Sequence, residues 1–469
     1  MSGQHFRSLN PGVCCVSGDK SLQEGCDRGA DYMLSRRGFM AASAATQAGP
    51  RSAAPSDLPA LLGGARAHPG PFPNWPIYDQ REEDALRETL ASRKWLRVSG
   101  ENVNHFEQEY ARALGAKGCV ATCNGTSALL ISLKAHGVGP GDEVIVPPYT
   151  FIATVNAVLM LHALPVFVDT DPATAQMDAS KIEAAMTDRT AAILPVHLGG
   201  SACDLDAILA LAARRKVPVV EDACQAHFGE WRNRKLGSFG STGCFRFQAT
   251  KNMVCGEGGA LVSNDEALLD RCFALHSHGR ERRISGYDFT YRMSGANLRM
   301  DEFHAALARV QLSRLESQCA VRDANAKYLT ALLREIPGIR PLEMYANCTR
   351  NAWHLYIFRY DPAAFSGLPR AKFLRALAAE GITASAGYTP LNRAPFLRNT
   401  LESGKFPRLV PKSRLAVWDE RNQCPANDKL CSEAVWFTHS MLLASRADME
   451  QIAEAIQKLR RHATSLLKA

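Results

Sequence analysis

Two short apolar runs, each followed by one charged side chain, constrain the fold of this chain more than any other feature. The β-branched run at residues 217–220 leads into Asp222, and the run at residues 243–247 leads into Lys251. Both runs are typical of buried strands, and the glycine-rich stretch 256–259 (GEGG) requires a sharp turn before the next strand. In open α/β sheets such strand ends carry ligand-binding groups. The pattern therefore predicts an acid and a lysine that meet in one cleft.

A carboxylate that ends one strand and a lysine that follows another strand suit pyridoxal phosphate (PLP). Lys251 would form the Schiff base, and Asp222 would keep the pyridine nitrogen protonated so that the ring accepts electrons. Taken alone, the same residues also fit a plainer interpretation. An Asp after a strand is commonly a turn or cap residue, and a Lys is commonly solvated. Spacing leaves both interpretations open.

The remainder of the chain alternates strand patterns with helix patterns, which predicts an α/β fold. A mostly parallel sheet with helices on both faces is expected up to residue 316, followed by a smaller α+β domain over 317–469. Expected strands cover 118–122, 143–146, 165–169, 191–196, 260–263 and 354–360, and expected helices cover 81–93, 153–161, 206–214, 370–380 and 448–459. A helix is also expected to start near residue 301, and a long helix past residue 316 is expected to continue through residue 333.

Three separated motifs, in the same order, resemble the DegT/StrS sugar-aminotransferase family of fold-type I PLP enzymes. They are EDACQAH at 221–227, TKN at 250–252 and GEGG at 256–259, and the similarity extends from about residue 75 to near the C-terminus. The resemblance implies a PLP transferase with Lys251 and Asp222 as catalytic residues. It implies a small-molecule amino donor, glutamate or glutamine, and a keto-sugar or keto-cyclitol acceptor.

The resemblance also implies the other contacts of the cofactor. The NGTS segment at 124–127 would bind the phosphate through Gly125 and Thr126, although NGTS alone is also a common turn and helix cap. Phe151 would stack on the pyridine face, and Gln225 would bond the ring hydroxyl. Asn297, in GANLRM, would reach the cofactor phosphate of a neighbouring subunit, which implies a homodimer with shared sites.

Three positions depart from the family pattern. Arg246 stands where a phosphate-binding serine is common, and it is expected either to hold the phosphate or to form a surface ion pair. Gln248 replaces an aromatic residue or histidine, and Asn392 replaces a histidine near the substrate. Lys251 is intact, which argues against the dehydratases of the family that carry histidine there.

Three functions remain compatible with these motifs. The first is an aminotransferase acting on a nucleotide-linked or free keto-sugar or a keto-cyclitol. The second is a PLP-dependent lyase or dehydratase of the amino-hydroxybenzoate synthase type. The third is a PLP-binding sensor without turnover. The motifs do not name the acceptor.

Composition excludes several other classes of protein. The 469 residues are 46% hydrophobic and 22% charged, which is typical of a globular protein. The net charge of +8 is spread along the chain without a basic, aromatic-rich stripe, so we expect no nucleic-acid partner. No apolar run is long enough to span a membrane. The 14 cysteines lack paired CxxC spacing, so no metal site is expected; the sequence leaves a Cys424–Cys431 pairing open.

The first 68 residues differ in composition and are expected to form a disordered leader. Within it, Arg36 and Arg37 precede an Ala-rich segment, in the manner of a twin-arginine export signal. Met33 would then be the natural start. Export and retention in the cytoplasm both remain open, because Arg pairs are common and the apolar segment is short.

Overall fold

A computed structural model describes residues 57–282 and 290–469. The twin-arginine motif lies outside these residues. The helices are α1 (Gln80–Ser92), α2 (Asn102–Leu114), α3 (Gly125–Ala135), α4 (Ala153–Met160), α5 (Ile182–Ala185), α6 (Leu205–Arg215), α7 (Glu266–His276), α8 (Glu302–Arg334), α9 (Arg370–Ala379), α10 (Pro395–Glu402), α11 (Phe406–Leu409), α12 (Lys412–Ala416), α13 (Trp418–Arg421), α14 (Pro425–Glu433), α15 (Arg446–Arg461) and α16 (Ala463–Lys468). The strands are β1 (Gly118–Thr122), β2 (Glu143–Val146), β3 (Leu164–Phe167), β4 (Thr190–Ile193), β5 (Val220–Asp222), β6 (Glu230–Trp231), β7 (Arg234–Lys235), β8 (Thr242–Arg246), β9 (Gly259–Ser263), β10 (Ile339–Pro341), β11 (Leu355–Tyr360) and β12 (Ala434–Thr438).

Within these described residues, the strands of the main sheet follow the order β1-β9-β8-β5-β4-β2-β3. Two ladders, β1-β9-β8-β5 and β3-β2-β4, are joined by the parallel bridges Ile193–Val219 and Val196–Asp222. β9 runs antiparallel to both of its neighbours, whereas β5 pairs in parallel with β8, and β2 with β3 and β4. The expectation of a mostly parallel sheet is confirmed.

Both faces of this sheet are buried, as strands covered by helices on each side require. Successive residues of β1 and β9 alternate between two separate apolar clusters. Val120 and Leu261 join a cluster with α3, α4 and α7, whereas Ala121 and Val262 join a cluster with α2 and the first half of α8. This arrangement holds the carboxyl ends of β5 and β8 side by side.

The C-terminal part has its own antiparallel sheet, β10-β11-β12, packed with α9, α15 and the second half of α8. The expected domain boundary at residue 316 falls inside α8, which is one continuous helix. Residues 391–424, for which the sequence predicted no elements, form short helices that pack on the main-sheet core through Leu397, Phe406 and Trp418. The partition into domains stays a prediction.

Residues 57–68 differ from the disordered leader expected for 1–68. They form a short 3-10 turn, Ala60–Leu62, and attach to the C-terminal part through Glu380. The carboxylate of Glu380 accepts bonds from the backbone nitrogens of Ala60 and Ala67, both at 2.8 Å. Lys458 Nζ lies 3.0 Å from the same carboxylate, and both side chains are buried. Composition did not reveal the attachment of residues 57–68, because Glu380 lies more than 300 residues further along the chain.

The described part of the chain also answers two questions raised by the sequence, on the Cys424–Cys431 pairing and on membrane-spanning helices. Cys424 and Cys431 are both buried free thiols. No helix there combines the length and apolarity needed to cross a membrane.

Candidate active site

Asp222 ends β5, and its carboxylate is held from two directions. Oδ2 accepts a hydrogen bond from Thr154 Oγ1 at 2.8 Å, and Oδ1 accepts one from the backbone nitrogen of Cys224 at 3.2 Å. Thr154 lies in the first turn of α4 and also bonds Thr150 (3.0 Å). With 5% of its surface exposed, Asp222 is a fixed acid in a largely closed site.

Lys251 lies five residues beyond the end of β8, the parallel neighbour of β5. Gln248 shapes the turn before it, because its Oε1 accepts bonds from the nitrogen (2.9 Å) and hydroxyl (2.6 Å) of Thr250. Only 8% of Lys251 is exposed. Burial lowers its pKa from 10.5 to about 8, although the nearby Asp222 carboxylate opposes that shift. A lysine with this pKa supplies the free amine near neutral pH far more readily than an ordinary lysine does.

The N-terminus of α3 faces the same site. Asn124 caps the helix by accepting a bond from the nitrogen of Ser127 (2.8 Å). Gly125 is required at the first position, since a Cβ there would lie 2.7 Å from Arg246 Cβ and 3.0 Å from Cys224 Sγ. The free amides of this turn and the positive end of the helix dipole can receive an anion beside Cys224 and Arg246.

Arg246, the last residue of β8, packs against the first residue of this helix. Its guanidinium carbon lies 5.6 Å from the ring centre of Phe151, and Nη2 lies 3.3 Å from Glu257 Oε1. Its Nε is buried and has no hydrogen-bond partner in the described structure. Arg246 thus forms the expected ion pair with an exposed partner and also lies next to Gly125 and Phe151, and its role towards a phosphate stays a prediction. Phe151 is 43% exposed, so its ring is open to a ligand.

Gln225 is held in one orientation, because both polar atoms of its side-chain amide are hydrogen-bonded. Oε1 accepts a bond from the nitrogen of Gly199 (2.8 Å), and Nε2 donates to Tyr388 Oη (3.2 Å). Burial raises the pKa of Tyr388 to about 12, so its hydroxyl stays protonated. The sequence did not point to Tyr388, because nothing in its local pattern distinguishes it from a core tyrosine.

Three further polar residues that follow or precede the predicted strands and motifs, His197, Asn392 and Asn297, have partners of their own. His197 is fully buried and pairs through Nε2 with Glu221 Oε2 (2.9 Å), so it supports β5 and is structural. Asn392 is buried and bonds the carbonyl of Asn422 (3.1 Å) and the amide of Asn427 (3.3 Å). Asn297 is exposed, in a backbone bridge with Ser277.

Behind Lys251 lie Asn252, the last residue of the TKN motif, and two histidines that were not identified from the sequence. His354 Nε2 lies 3.3 Å from Lys251 Nζ, Asn252 bonds His354, and His439 stacks on it. His354 and His439 come from the residue before β11 and the residue after β12, more than 100 positions along the chain. A separation of that kind leaves no signal in a single sequence.

The residues at this site match the chemical parts of PLP. The α3 N-terminus and Arg246 offer positive groups for a phosphate, Asp222 offers a fixed carboxylate for a pyridinium, and Lys251 offers an amine of lowered pKa. No group of three or more metal-ligating side chains occurs in the residues described. Fold and site together define a PLP-dependent transferase.

Comparison with known proteins identifies the family. Residues 76–457 match the profile of the DegT/DnrJ/EryC1/StrS aminotransferase family. The 3-amino-5-hydroxybenzoate synthase of Amycolatopsis mediterranei is 36% identical over 387 residues, covering 82% of this chain and 96% of that protein. The L-glutamine:2-deoxy-scyllo-inosose aminotransferase of Streptoalloteichus tenebrarius is 35% identical over 422 residues, covering 86% and 97%.

A solved structure supports the same assignment. The crystal structure of 3-amino-5-hydroxybenzoic acid synthase superposes with a TM-score of 0.75 and 35% identity, covering 85% of this chain and 99% of that one. The chain belongs to the DegT/DnrJ/EryC1/StrS aminotransferase family. It is a PLP-dependent aminotransferase, and the fold-type I architecture expected from the sequence is confirmed.

Proposed function

We propose that this enzyme transfers the amino group of L-glutamine to the ketone of a cyclic polyol. The observation that carries the proposal is a buried Asp222 at the end of β5 and a buried Lys251 in the loop after β8, the parallel neighbour of β5. The chain also matches an L-glutamine:2-deoxy-scyllo-inosose aminotransferase along most of its length. A free or nucleotide-linked keto-sugar is the wider class to which this acceptor belongs.

The reactive end of the cofactor is assigned to three residues. Lys251 holds PLP covalently, Asp222 pairs with the pyridine nitrogen, and Gln225 bonds the ring hydroxyl. When bound, PLP supplies an electron sink that stabilises charge at the substrate carbon. Lys251, once released, moves a proton with its own nitrogen, and its lowered pKa makes the basic form of that nitrogen accessible near neutral pH. Asp222 is held by Thr154 and Cys224, so it cannot turn away from its partner.

The phosphate end is assigned to Gly125, Thr126 and Arg246, and the ring face to Phe151. Three observations support this: the helix N-terminus, the lack of space for a Cβ at Gly125 beside Arg246 and Cys224, and the unpartnered Nε of Arg246. A guanidinium binds phosphate more strongly than a serine hydroxyl, because its hydrogen bonds are charge-assisted. Arg246 therefore substitutes for the family's serine.

We further propose a homodimer in which Asn297 completes the partner's phosphate site. Every residue from Thr290 to Asn297 is exposed in the single chain. Large apolar side chains are also exposed there and elsewhere, including Tyr291 (55%) and the adjacent pair Trp95 and Leu96. Exposed apolar groups of this kind favour burial against another protein surface.

The acceptor can be tested with L-glutamine labelled with ¹⁵N on the α-amine. Purified enzyme is incubated with the labelled donor and 2-deoxy-scyllo-inosose, and the product is analysed by mass spectrometry. We expect an amino-cyclitol carrying ¹⁵N. The absence of ¹⁵N transfer both to this acceptor and to a panel of free and nucleotide-linked keto-sugars would contradict the proposal.

A dehydratase function is the second candidate, because a 3-amino-5-hydroxybenzoate synthase is among the similar proteins. The two functions give different products from a cyclic amino ketone. A dehydratase releases water and forms an aromatic product with new ultraviolet absorption, whereas an aminotransferase gives a saturated amine. The intact Lys251 is compatible with both reactions. Product mass and absorption therefore decide between them.

For localisation we propose export by the twin-arginine route, supported by Arg36 and Arg37 ahead of an Ala-rich segment. This route carries folded proteins, which suits an enzyme that holds its cofactor. An exported enzyme would use a free keto-sugar or cyclitol, and a cytoplasmic one could use a nucleotide-linked sugar. Cell fractionation tests this with an Arg36→Lys, Arg37→Lys double variant. Processed protein outside the cytoplasm, lost in the variant, supports export; unprocessed cytoplasmic protein in both strains rejects it.

A further inference from the structure

The catalytic lysine has a partner on the side away from Asp222. Lys251 Nζ lies 3.3 Å from His354 Nε2, and both side chains are buried. The direction of this contact matters, because a neutral histidine ring donates from one nitrogen and accepts at the other.

The surrounding bonds assign the proton of His354. The Asn252 amide is oriented by its Nδ2, which donates to the carbonyl of Ala352 at 2.7 Å. Its Oδ1 therefore faces His354 Nδ1 at 3.0 Å and accepts the ring N–H. Since Nδ1 carries the proton of the neutral ring, Nε2 carries a lone pair and can only accept from Lys251. Asn252 thus sets the tautomer of His354, the histidine that contacts Lys251.

The groups around His354 keep it neutral. Its ring stacks on His439 with centres 5.7 Å apart, and both nitrogens of His439 are occupied, by Thr250 O (3.0 Å) and Arg322 Nη2 (3.3 Å). Arg322 is fully buried. The titratable groups acting on His354 are Lys251, His227, His439 and Arg322. Burial and these basic groups lower the pKa of His354 well below 6.5, so the ring does not compete with Lys251 for a proton.

We propose that His354 is a positioning residue for Lys251, which accepts one N–H of the lysine whenever that lysine is not joined to the cofactor. His354 Nε2 has no proton to donate, so it does not occupy the lone pair of a neutral Lys251 amine. That lone pair stays free to accept the proton that Lys251 transfers in the reaction. The inference rests on the proposed role of Lys251 as the cofactor lysine. His354 precedes β11 and so belongs to the C-terminal part, whereas Lys251 belongs to the main-sheet part. The C-terminal part would thus contribute directly to the chemistry of Lys251.

The test measures Lys251 directly in the full-length enzyme loaded with the cofactor in its amine form, where the lysine is free. The rate of acetylation of Lys251 by acetic anhydride is followed against pH, and the Lys251 peptide is quantified by mass spectrometry. His354→Phe and His354→Leu remove the acceptor that stabilises the ammonium form. We expect their titration midpoints to fall about one pH unit below that of the wild type, as the loss of a bond to a charged group implies.

Two further variants separate positioning from general disturbance. His354→Gln keeps an acceptor and is expected to hold the wild-type midpoint. His439→Phe is the matched control, because it is equally buried and adjacent but makes no bond to Nζ, and it is expected to keep the wild-type midpoint. Near-ultraviolet circular dichroism confirms that each variant is folded. An unchanged midpoint in both acceptor-free variants, or an equal shift in His439→Phe, would overturn the proposal. Neither result depends on which lysine holds the cofactor. The identity of that lysine is tested separately by borohydride trapping.

Discussion

At the scale of single residues, Asp222 is expected to control turnover more than cofactor retention. Asp222→Asn preserves the shape and the bond from Thr154 but removes the negative charge that favours a protonated pyridine nitrogen. We expect kcat to fall by at least about a hundredfold, the usual range for losing one fixed electrostatic contact in a site. PLP affinity should change far less. Steady-state kinetics and equilibrium binding of PLP measure both quantities, and near-normal kcat in Asp222→Asn or Asp222→Ala would contradict this role.

Arg246 provides a second test at this scale. Arg246→Met keeps much of the length of the side chain but removes the charge beside Gly125, so we expect PLP to bind about tenfold to a hundredfold more weakly. Glu257→Gln is the control, because it breaks the exposed ion pair and leaves the guanidinium in place. Titration of the cofactor-free protein with PLP gives both affinities. Equal affinities in wild type and Arg246→Met would show that Arg246 serves only the ion pair.

At the scale of elements, the segment 57–68 is expected to be held by one buried carboxylate. Glu380→Ala leaves Lys458 without its anion and removes the acceptor for Ala60 and Ala67, so we expect the free energy of unfolding to fall by about 3–5 kcal/mol. Glu183→Ala is the matched control. It breaks the exposed pair with Arg214 and should cost about 1 kcal/mol or less.

Chemical denaturation measures both changes, and limited proteolysis shows whether residues 57–68 are released. A Glu380→Ala protein as stable as the Glu183→Ala protein would contradict the attachment of this segment through Glu380.

The elements also show what the sequence could predict. Periodicity located the helices near 81–93 and 370–380 and the strands near 118–122 and 260–263 to within a few residues, because each signal is local. Motifs predicted that Asp222 ends one strand and that Lys251 follows another, whereas the structure was needed to show that these strands, β5 and β8, are parallel neighbours. The contacts of Lys251 with His354 and of Gln225 with Tyr388 depend on chain segments about 100 and 160 residues away. Such pairings have no local pattern, so they required the structure.

At the scale of the whole molecule, the proposed exchange of Asn297 between subunits predicts complementation. Lys251→Ala and Asn297→Ala proteins should each be weakly active or inactive. In a mixed dimer, one site carries both defects and the other has Lys251 from one chain and Asn297 from its partner. Random mixing should therefore restore about a quarter of wild-type activity, because half of the dimers are mixed and each has one intact site.

The mixing experiment uses unfolding and refolding of the two variants together, with each variant refolded alone as the control. Restored activity that sediments as a dimer supports shared sites. If Asn297 acts within its own chain, no mixed dimer contains an intact site and the mixture stays as inactive as its components. A fully active monomer in the wild type would also contradict the proposal.

The most direct measurement of the central claim is the identity of the lysine that holds the cofactor. The purified protein should be yellow, and borohydride should attach the cofactor permanently to one peptide, which mass spectrometry can sequence. We predict that the modified residue is Lys251, and that the Lys251→Ala protein is neither yellow nor modified. Cofactor attached to any other lysine would contradict the assignment of the site.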